Sequence, residues 1–113
     1  MSDDLLSLDV QDRGKDVVVA VSGELDFGTS ARFLEVTQPL AESGRPVVLD
    51  LAELAFCDSS GLGAFVRLHK LLEQTGGRLT LARPRAQLES TLRLTMLHRV
   101  LRLRDDVPEP GDA

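Results

Sequence analysis

The chain has 113 residues, an apolar fraction of 42% and a formal net charge of −5 at pH 7. This length and apolar content suit one small domain with a single core and are too small for two domains. The acidic balance argues against sequence-independent binding to nucleic acid or to an anionic membrane surface, because both need clustered basic groups.

Two strands are predicted at the start of the chain. Residues 6–10 alternate apolar and polar side chains, and residues 17–21 form a branched apolar run after a turn at residues 12–15. Two strands joined by so short a turn are expected to pair as an antiparallel hairpin. Strand character is predicted to end at residues 22–26, where Ser, Gly, Glu and Asp interrupt the apolar run.

A helix and a central strand are predicted next. Thr29 and Ser30 open a stretch with apolar side chains at helical spacing, and the Gly-Arg-Pro sequence at residues 44–46 ends it. Residues 47–51 then form a short apolar run, which is typical of a strand that is buried on both faces. We expect this strand to lie at the centre of the sheet.

Helices and strands alternate in the second half of the chain. An amphipathic helix is predicted from about residue 61 to a glycine pair at residues 76–77. The later predicted elements are a strand at 78–82, a helix at about 85–95 with Leu88 and Leu92 inward, and a short strand at 100–103.

The order of these elements predicts an α/β fold. It has a single mixed sheet of four to five strands, which begins with the antiparallel hairpin and is covered by about three helices. Residues 1–104 are expected to form one domain. Residues 105–113 are acidic and contain proline, so we expect them to be a disordered tail.

The sequence also indicates the cellular compartment and which cofactors are excluded. Residues 1–4 lack the basic and apolar regions of a signal peptide, and no apolar run is long enough to cross a bilayer. The single cysteine, Cys57, cannot form an internal disulfide, and two histidines are too few for a Cys/His zinc cluster. We expect a cytoplasmic protein with no cofactor, in which Cys57 is a small buried apolar residue.

Ser59 lies where a loop becomes a helix, within the segment 56–63. At such a position the first helical N–H groups lack intrahelical partners and the helix dipole is positive, so an oxygen or a phosphate is stabilised. From the residues alone, Ser59 is either a helix cap or a phosphorylation site, and Ser60 is a competing acceptor.

Neighbouring residues leave two interpretations open as well. Gly61 and Gly63 allow close approach either of a partner backbone or of the sheet. Asp26 is either a recognition residue or a turn aspartate that caps the next helix.

The sequence does not indicate an enzyme. The G-x-S-x-G pattern of a serine hydrolase is missing, and His69 lies ten positions beyond Ser59 on the same predicted helix, about 15 Å away. His98 follows the last predicted helix and is expected to be exposed. No phosphate-binding loop, dinucleotide fingerprint or metal-ligand spacing occurs. We therefore expect a binding protein.

Four segments, in order, resemble the STAS domains of bacterial anti-sigma factor antagonists. They are the Gly-Glu-Leu-Asp element at residues 23–26, the central strand at 48–51, the signature Phe-Cys-Asp-Ser-Ser-Gly-Leu-Gly at 56–63 and a closing helix at 94–100. The resemblance runs from about residue 6 to residue 103. Any one segment is a weak signal, whereas four in order at these separations are a strong one.

The resemblance implies a function that composition does not show. Such antagonists bind an anti-sigma factor, usually a serine kinase of the histidine-kinase-like ATPase fold, and so free a sigma factor. The kinase phosphorylates the serine after the signature aspartate, here Ser59, and a PP2C-type phosphatase reverses the reaction. The expected partner-binding residues are Asp26, Asp58, Ser59, Ser60, Gly61, Leu62 and Gly63.

A second role on the same fold remains open. STAS domains also serve as accessory modules of transporters or of stress-sensing complexes, and some bind nucleotides, because a fold does not determine one function. A free-standing chain of this length favours the antagonist.

Phosphorylation of Ser59 and the residue at position 96 both have expected physical consequences. A phosphate on Ser59 adds a charge of about −1.5 to −2 beside Asp58, so we expect it to repel the partner without unfolding the domain. Met96 stands where relatives often have glycine at the end of the last helix, which costs roughly 1 kcal/mol if that position is left-handed.

Overall fold

One mixed sheet of six strands organises the molecule. The computed structural model describes residues 5–113, so the prediction that residues 1–4 carry no signal peptide lies outside the described part. The strands are β1 (Leu6–Asp12), β2 (Val17–Leu25), β3 (Val47–Asp50), β4 (Leu54–Cys57), β5 (Leu79–Ala82) and β6 (Arg102–Arg104). The helices are α1 (Ser30–Glu42), α2 (Ser59–Thr75) and α3 (Ala86–Leu94).

The strand order confirms the predicted hairpin and the predicted centre. β1 pairs with β2 in antiparallel register, and the other neighbours along the order β1-β2-β3-β5-β6 pair in parallel. The hairpin turn is closed by the Gly14 N–H, which donates to Oδ1 of Asp12 at 2.8 Å. β3 lies in the middle of the order, and its side chains at residues 47–49 are fully buried.

The sheet has one strand more than the upper bound of the prediction. β2 does not end at residue 21 but continues to Leu25, because β4 pairs with its last residues in parallel. Gly23 makes this extension possible: its φ is +97°, and a Cβ there would overlap the carbonyl oxygen of Leu5. The α/β class and the mixed sheet are as predicted, with six strands instead of four to five.

All three helices cover the same face of the sheet. Their inward side chains share one apolar cluster with alternate residues of the strands, such as Val19 and Leu49. α1 and α2 meet through Phe33 and Phe65, whose rings pack edge to face with centroids 5.9 Å apart. Leu88 and Leu92 of α3 point into this cluster, as predicted.

The opposite face of the sheet is partly covered by the C-terminal residues. Val107 and Ala113 pack on a small apolar cluster, and Pro108 is buried; the members of the cluster are Val18, Val48 and Ala82. Residues 105–113 were expected to be a disordered tail, and this packing corrects that expectation. Composition alone suggested disorder because the segment is acidic, but its few apolar residues meet an apolar patch that none of the helices within residues 5–113 covers.

A buried carboxylate holds the tail in place. The Asp16 side chain has no exposed surface, and its Oδ2 accepts from the Gly111 N–H at 2.9 Å. The Arg13 guanidinium also donates to both carboxylate oxygens, at 2.6 and 3.0 Å. Burial raises the pKa of Asp16, but the hydrogen bonds from Arg13 and Gly111 outweigh burial, so the pKa lies below its usual value.

The chain passes through a strained residue after α3, so the condition stated for Met96 is met. Met96 follows α3 with a φ of +64°, in the left-handed region that favours glycine. A short 3-10 helix at Leu97–Arg99 follows and leads into β6. It contains His98, which is half-buried and not exposed as expected, with its Nδ1 3.4 Å from the Leu92 carbonyl oxygen.

Candidate functional site

The start of α2 is organised by Asp58 and not by the serines that follow it. Oδ1 of Asp58 accepts from the backbone N–H groups of Ser60 at 2.8 Å and of Gly61 at 3.1 Å. Asp58 is therefore the N-cap, and the interpretation of Ser59 as a helix cap is wrong. Ser59 is the first residue of the helix and is exposed, so its hydroxyl faces solvent without a structural task in the cap.

The second oxygen of Asp58 connects α2 to the loop between β2 and α1. The Phe27 N–H donates to Oδ2 of Asp58 at 3.2 Å, across 31 positions of sequence. One carboxylate thus holds two segments together, because it accepts from the helix with one oxygen and from the loop with the other. This contact brings residues 26–28 to the end of α2 where Ser59 lies.

The loop itself is held by Asp26. Its Oδ1 accepts from the N–H groups of Gly28 at 2.9 Å and of Thr29 at 3.1 Å, and the Asp26 N–H donates to Oγ1 of the buried Thr29 at 2.9 Å. The structure therefore gives Asp26 the role of a turn aspartate at the start of α1. A role in partner recognition is additional to this and stays a prediction.

Phe27 was not singled out from the sequence, although it lies in the middle of this loop. Its side chain is 86% exposed, which is the largest exposure among the large apolar residues that the structure describes. The available signal was a lone aromatic residue between the turn residues Asp26 and Gly28, where a polar residue is usual.

The two glycines of the signature have different environments. A Cβ on Gly61 would lie 2.6 Å from Sγ of Cys57 and 2.7 Å from the carbonyl oxygen of Leu25, so this glycine is required by packing inside the fold. A Cβ on Gly63 would meet nothing within 4 Å. Gly63 is exposed one turn beyond Ser59, so packing does not require a glycine there, and its role in partner binding stays a prediction.

The remaining expected site residues are only partly accessible. Ser60 is half-buried, in contrast to the exposed Ser59. Leu62 packs partly against the main core, and its N–H donates to the carbonyl oxygen of Asp58 at 3.0 Å. Gly61 is buried and offers no surface to a partner. The accessible part of the site therefore consists of Phe27, Ser59 and Gly63, and the half-buried residues at its edge are Asp58, Ser60 and Leu62.

Cys57 precedes the cap and is not a reactive thiol. Burial, followed by the negative charge of Asp58, raises the pKa of the Cys57 thiol to about 12. The thiol therefore stays protonated at neutral pH, and the thiolate that nucleophilic or redox chemistry needs is scarce. Cys57 is a small apolar residue at the end of β4, but it is half-buried and not buried as expected.

The surface around Ser59 is negatively charged. Within residues 5–113, the carboxylates of Glu24, Asp26 and Asp58 form no ion pair with a Lys, Arg or His side chain. Over the same residues, no cluster of three or more His, Cys, Asp or Glu side chains has the arrangement to hold a metal ion. Asp26 and Asp58 accept hydrogen bonds from backbone N–H groups and, for Asp26, also from the Thr29 hydroxyl.

A small cleft lies between β4 and α3, close to the site in sequence. Its lining includes Phe56, Cys57, Arg85 and Thr91, and its volume is about 140 Å³. Sites for small molecules usually measure about 300–1,000 Å³, so this cleft is too small for a nucleotide.

None of the helices within residues 5–113 combines the length and the apolar character that a bilayer span requires.

Comparison with solved structures shows the fold. An anti-sigma factor antagonist from Mycobacterium paratuberculosis has a TM-score of 0.77 at 24% identity, covering 92% of this chain and 89% of that one. The Bacillus cell fate determinant SpoIIAA in its phosphorylated form has a TM-score of 0.68 at 24% identity, covering 92% of each chain. At these identities the likeness is one of fold.

Comparison of sequences shows the family. An anti-sigma-B factor antagonist of Bacillus subtilis (strain 168) is 34% identical over 76 residues, which are 67% of this chain and 70% of that protein. The family model of the STAS domain matches residues 7–109, nearly the whole chain. These matches, together with the mixed sheet and the Asp58-capped helix, show that the chain belongs to the STAS domain family.

Proposed function

We propose that this chain is an anti-sigma factor antagonist that acts in the cytoplasm as a regulator and not as an enzyme. In its unmodified form it binds an anti-sigma factor serine kinase and so frees a sigma factor. Phosphorylation of Ser59 by that kinase ends the binding, and a PP2C-type phosphatase restores it. Relatives at about one-third identity carry the name anti-sigma-B factor antagonist, which supports the antagonist role.

The observation that carries the proposal is the exposure of Ser59 at the first position of α2. Because Asp58 performs the capping, the Ser59 hydroxyl is free to accept a phosphoryl group without loss of a structural hydrogen bond. Ser60 is half-buried one position later, which makes it the poorer acceptor. The structural neighbour SpoIIAA occurs in a phosphorylated form, which is consistent with a phosphate on this fold.

Electrostatics supports blockade over unfolding. The N–H groups of Ser60 and Gly61 already donate to Asp58, so a phosphate on Ser59 would lie in solvent beside that carboxylate. Asp58 and the phosphate together would carry a charge of about −2.5 to −3. A partner surface that fits the neutral hydroxyl then meets bulk, like charge and a desolvation cost, while the fold keeps its cap.

The test uses the purified serine kinases of the anti-sigma factor class from the host bacterium, with MgATP. Peptide mass spectrometry is expected to find phosphate on Ser59 in the wild type and in Ser60→Ala, and none in Ser59→Ala. The unmodified chain is expected to bind the same kinase, and Ser59→Asp is expected not to bind it. A phosphate on Ser60 would correct the site and keep the function.

The other role predicts different results. An accessory module of a transporter or of a stress-sensing complex would co-purify with that assembly. It would also stay unphosphorylated when it is incubated with anti-sigma factor kinases that are shown to be active on their known antagonists. A nucleotide-binding regulator would bind labelled GTP or ATP as an isolated chain. Either result, with Ser59 unmodified, would refute the antagonist proposal.

A further inference from the structure

Phe27 has an aromatic side chain that is exposed to solvent and a backbone that is held by a hydrogen bond. It is 86% exposed, so it contributes little to the core. Its own N–H is bound to Asp58, and the residue before it is fixed by the hydrogen bonds of the turn. The ring is thus attached to a rigid loop, and a partner that buries it would not have to order that loop first.

The position of Phe27 relates it directly to the proposed modification site. Asp58 binds the Phe27 N–H with Oδ2 and caps α2 with Oδ1, and Ser59 is the next residue. Gly63, with open space where a side chain would be, extends the accessible surface by one turn along α2. Aromatic residues, Phe among them, are enriched in the buried cores of protein interfaces, and hot spots fill pockets there.

The charge around the ring indicates the chemistry of the surface that receives it. Within the described residues, no cation pairs with the carboxylates of Glu24, Asp26 or Asp58. A complementary surface would therefore combine an apolar pocket with basic groups around its rim, because like charge at this site would be repelled.

We propose that Phe27 is the apolar anchor through which this chain docks on its anti-sigma factor kinase, in an apolar pocket with a basic rim. This inference rests on the proposed function, since it takes the kinase as the partner. It adds a residue outside the serine motif to the determinants of binding. Aromatic anchors at the centre of an interface often account for 2 kcal/mol or more of affinity, which is about 30-fold.

The chain provides a matched control. Leu94, at the end of α3, is 84% exposed and is likewise a large apolar residue, but it lies on a different element from Phe27 and Asp58. Phe27→Ala and Leu94→Ala therefore remove a similar exposed apolar surface from two places. Urea unfolding is expected to show both variants folded, with stabilities close to that of the wild type, because neither side chain belongs to the core.

The experiment measures how tightly the wild type and each variant bind a purified anti-sigma factor kinase. The kinase chosen is one that phosphorylates the wild type. Phe27→Ala is expected to weaken binding by about 30-fold, and Leu94→Ala by less than about twofold. Wild-type binding is expected to weaken when ionic strength rises from about 0.1 M to about 1 M, because the Debye length falls from roughly 10 Å to roughly 3 Å. Glu24→Gln is expected to weaken binding at low salt only.

The outcomes separate this inference from the function on which it rests. If the kinase phosphorylates Phe27→Ala and binds it as tightly as the wild type, the anchor is refuted and the antagonist function stands. If binding is insensitive to salt and to Glu24→Gln, the basic rim is refuted. If no such kinase binds or phosphorylates the wild type, the function is refuted, and the anchor with it.

Discussion

The two glycines of the signature can be used to test whether Gly61 is required by packing and whether Gly63 leaves surface open to a partner. Gly61→Ala and Gly63→Ala make the same chemical change two positions apart in α2. Each variant gains about 1 kcal/mol of helix propensity, because alanine is favoured over glycine in a helix interior. This gain cancels when the two variants are compared. The difference between their free energies of unfolding therefore reports the surroundings of the added methyl group.

The surroundings differ in a way that the structure makes quantitative. At Gly61 the methyl carbon would lie 2.6 Å from Sγ of Cys57, 2.7 Å from the Leu25 carbonyl oxygen and 3.0 Å from Cγ of Leu25. That carbonyl accepts from the Asp58 N–H and belongs to β2, so it cannot retreat without disturbing the sheet. Overpacking of this kind costs about 1–3 kcal/mol. At Gly63 nothing lies within 4 Å.

We therefore expect Gly61→Ala to be less stable than Gly63→Ala by about 1–3 kcal/mol, and Gly63→Ala to exceed the wild type by about 0.5–1 kcal/mol. Urea unfolding of the three proteins measures this, and the melting temperatures of the variants should differ by about 4 °C or more. Gly63→Ala is also expected to bind the kinase more weakly, despite its higher stability. Equal unfolding free energies for the two variants would refute the packing role of Gly61.

Three further predictions concern stability. Asp58→Ala is expected to lower the free energy of unfolding by about 1–2 kcal/mol in urea titrations, because α2 loses its cap; an unchanged value would contradict the cap. Met96→Gly is expected to raise the melting temperature, because relief of about 1–2 kcal/mol of left-handed strain exceeds the unfolded-state entropy of glycine, about 0.4–1 kcal/mol; a lower melting temperature would contradict this. Asp16, with a folded pKa below its unfolded value of about 3.9, stabilises the fold fully above that pH, and this stability is lost as the pH falls through the folded pKa. Asp16→Asn should therefore flatten the acid side of the pH–stability curve, and an equally steep curve in the variant would refute this.

Parts of the fold could be read from local sequence because their periods reflect burial. The alternation at residues 6–10 and the apolar runs at residues 17–21 and 47–51 predicted strands that the structure contains. The spacing of Leu88 and Leu92 likewise predicted the inward face of α3. Most of these apolar side chains leave water in the fold, so the pattern is present before the chain folds, although Val10 of β1 stays 41% exposed.

β4 shows where such patterns stop being informative. It has four residues, of which Ala55 and Phe56 are exposed, so no alternation marks it as a strand. It is a strand only because the end of β2 lies beside it and supplies hydrogen-bonding partners. The tail is a similar case, since its acidic composition suggested disorder, whereas Val107 and Ala113 pack on a patch of sheet that is left uncovered by α1, α2 and α3.

The features of the site also divide into those that local sequence predicts and those that the tertiary structure decides. The sequence by itself determined the family, the position of Ser59 at the start of a helix and the set of residues near it, because these depend on residue types in order. Only the tertiary structure decided that Asp58 caps α2, that Gly61 serves packing while Gly63 faces open space, and that Phe27 joins the site. The cap itself is local, since Asp58 accepts from Ser60 and Gly61, but residue types left it open because aspartate and serine are both favoured caps. The Leu25 carbonyl beside Gly61 and the Phe27 N–H on Asp58 are contacts between segments far apart in the chain, and no local pattern encodes them.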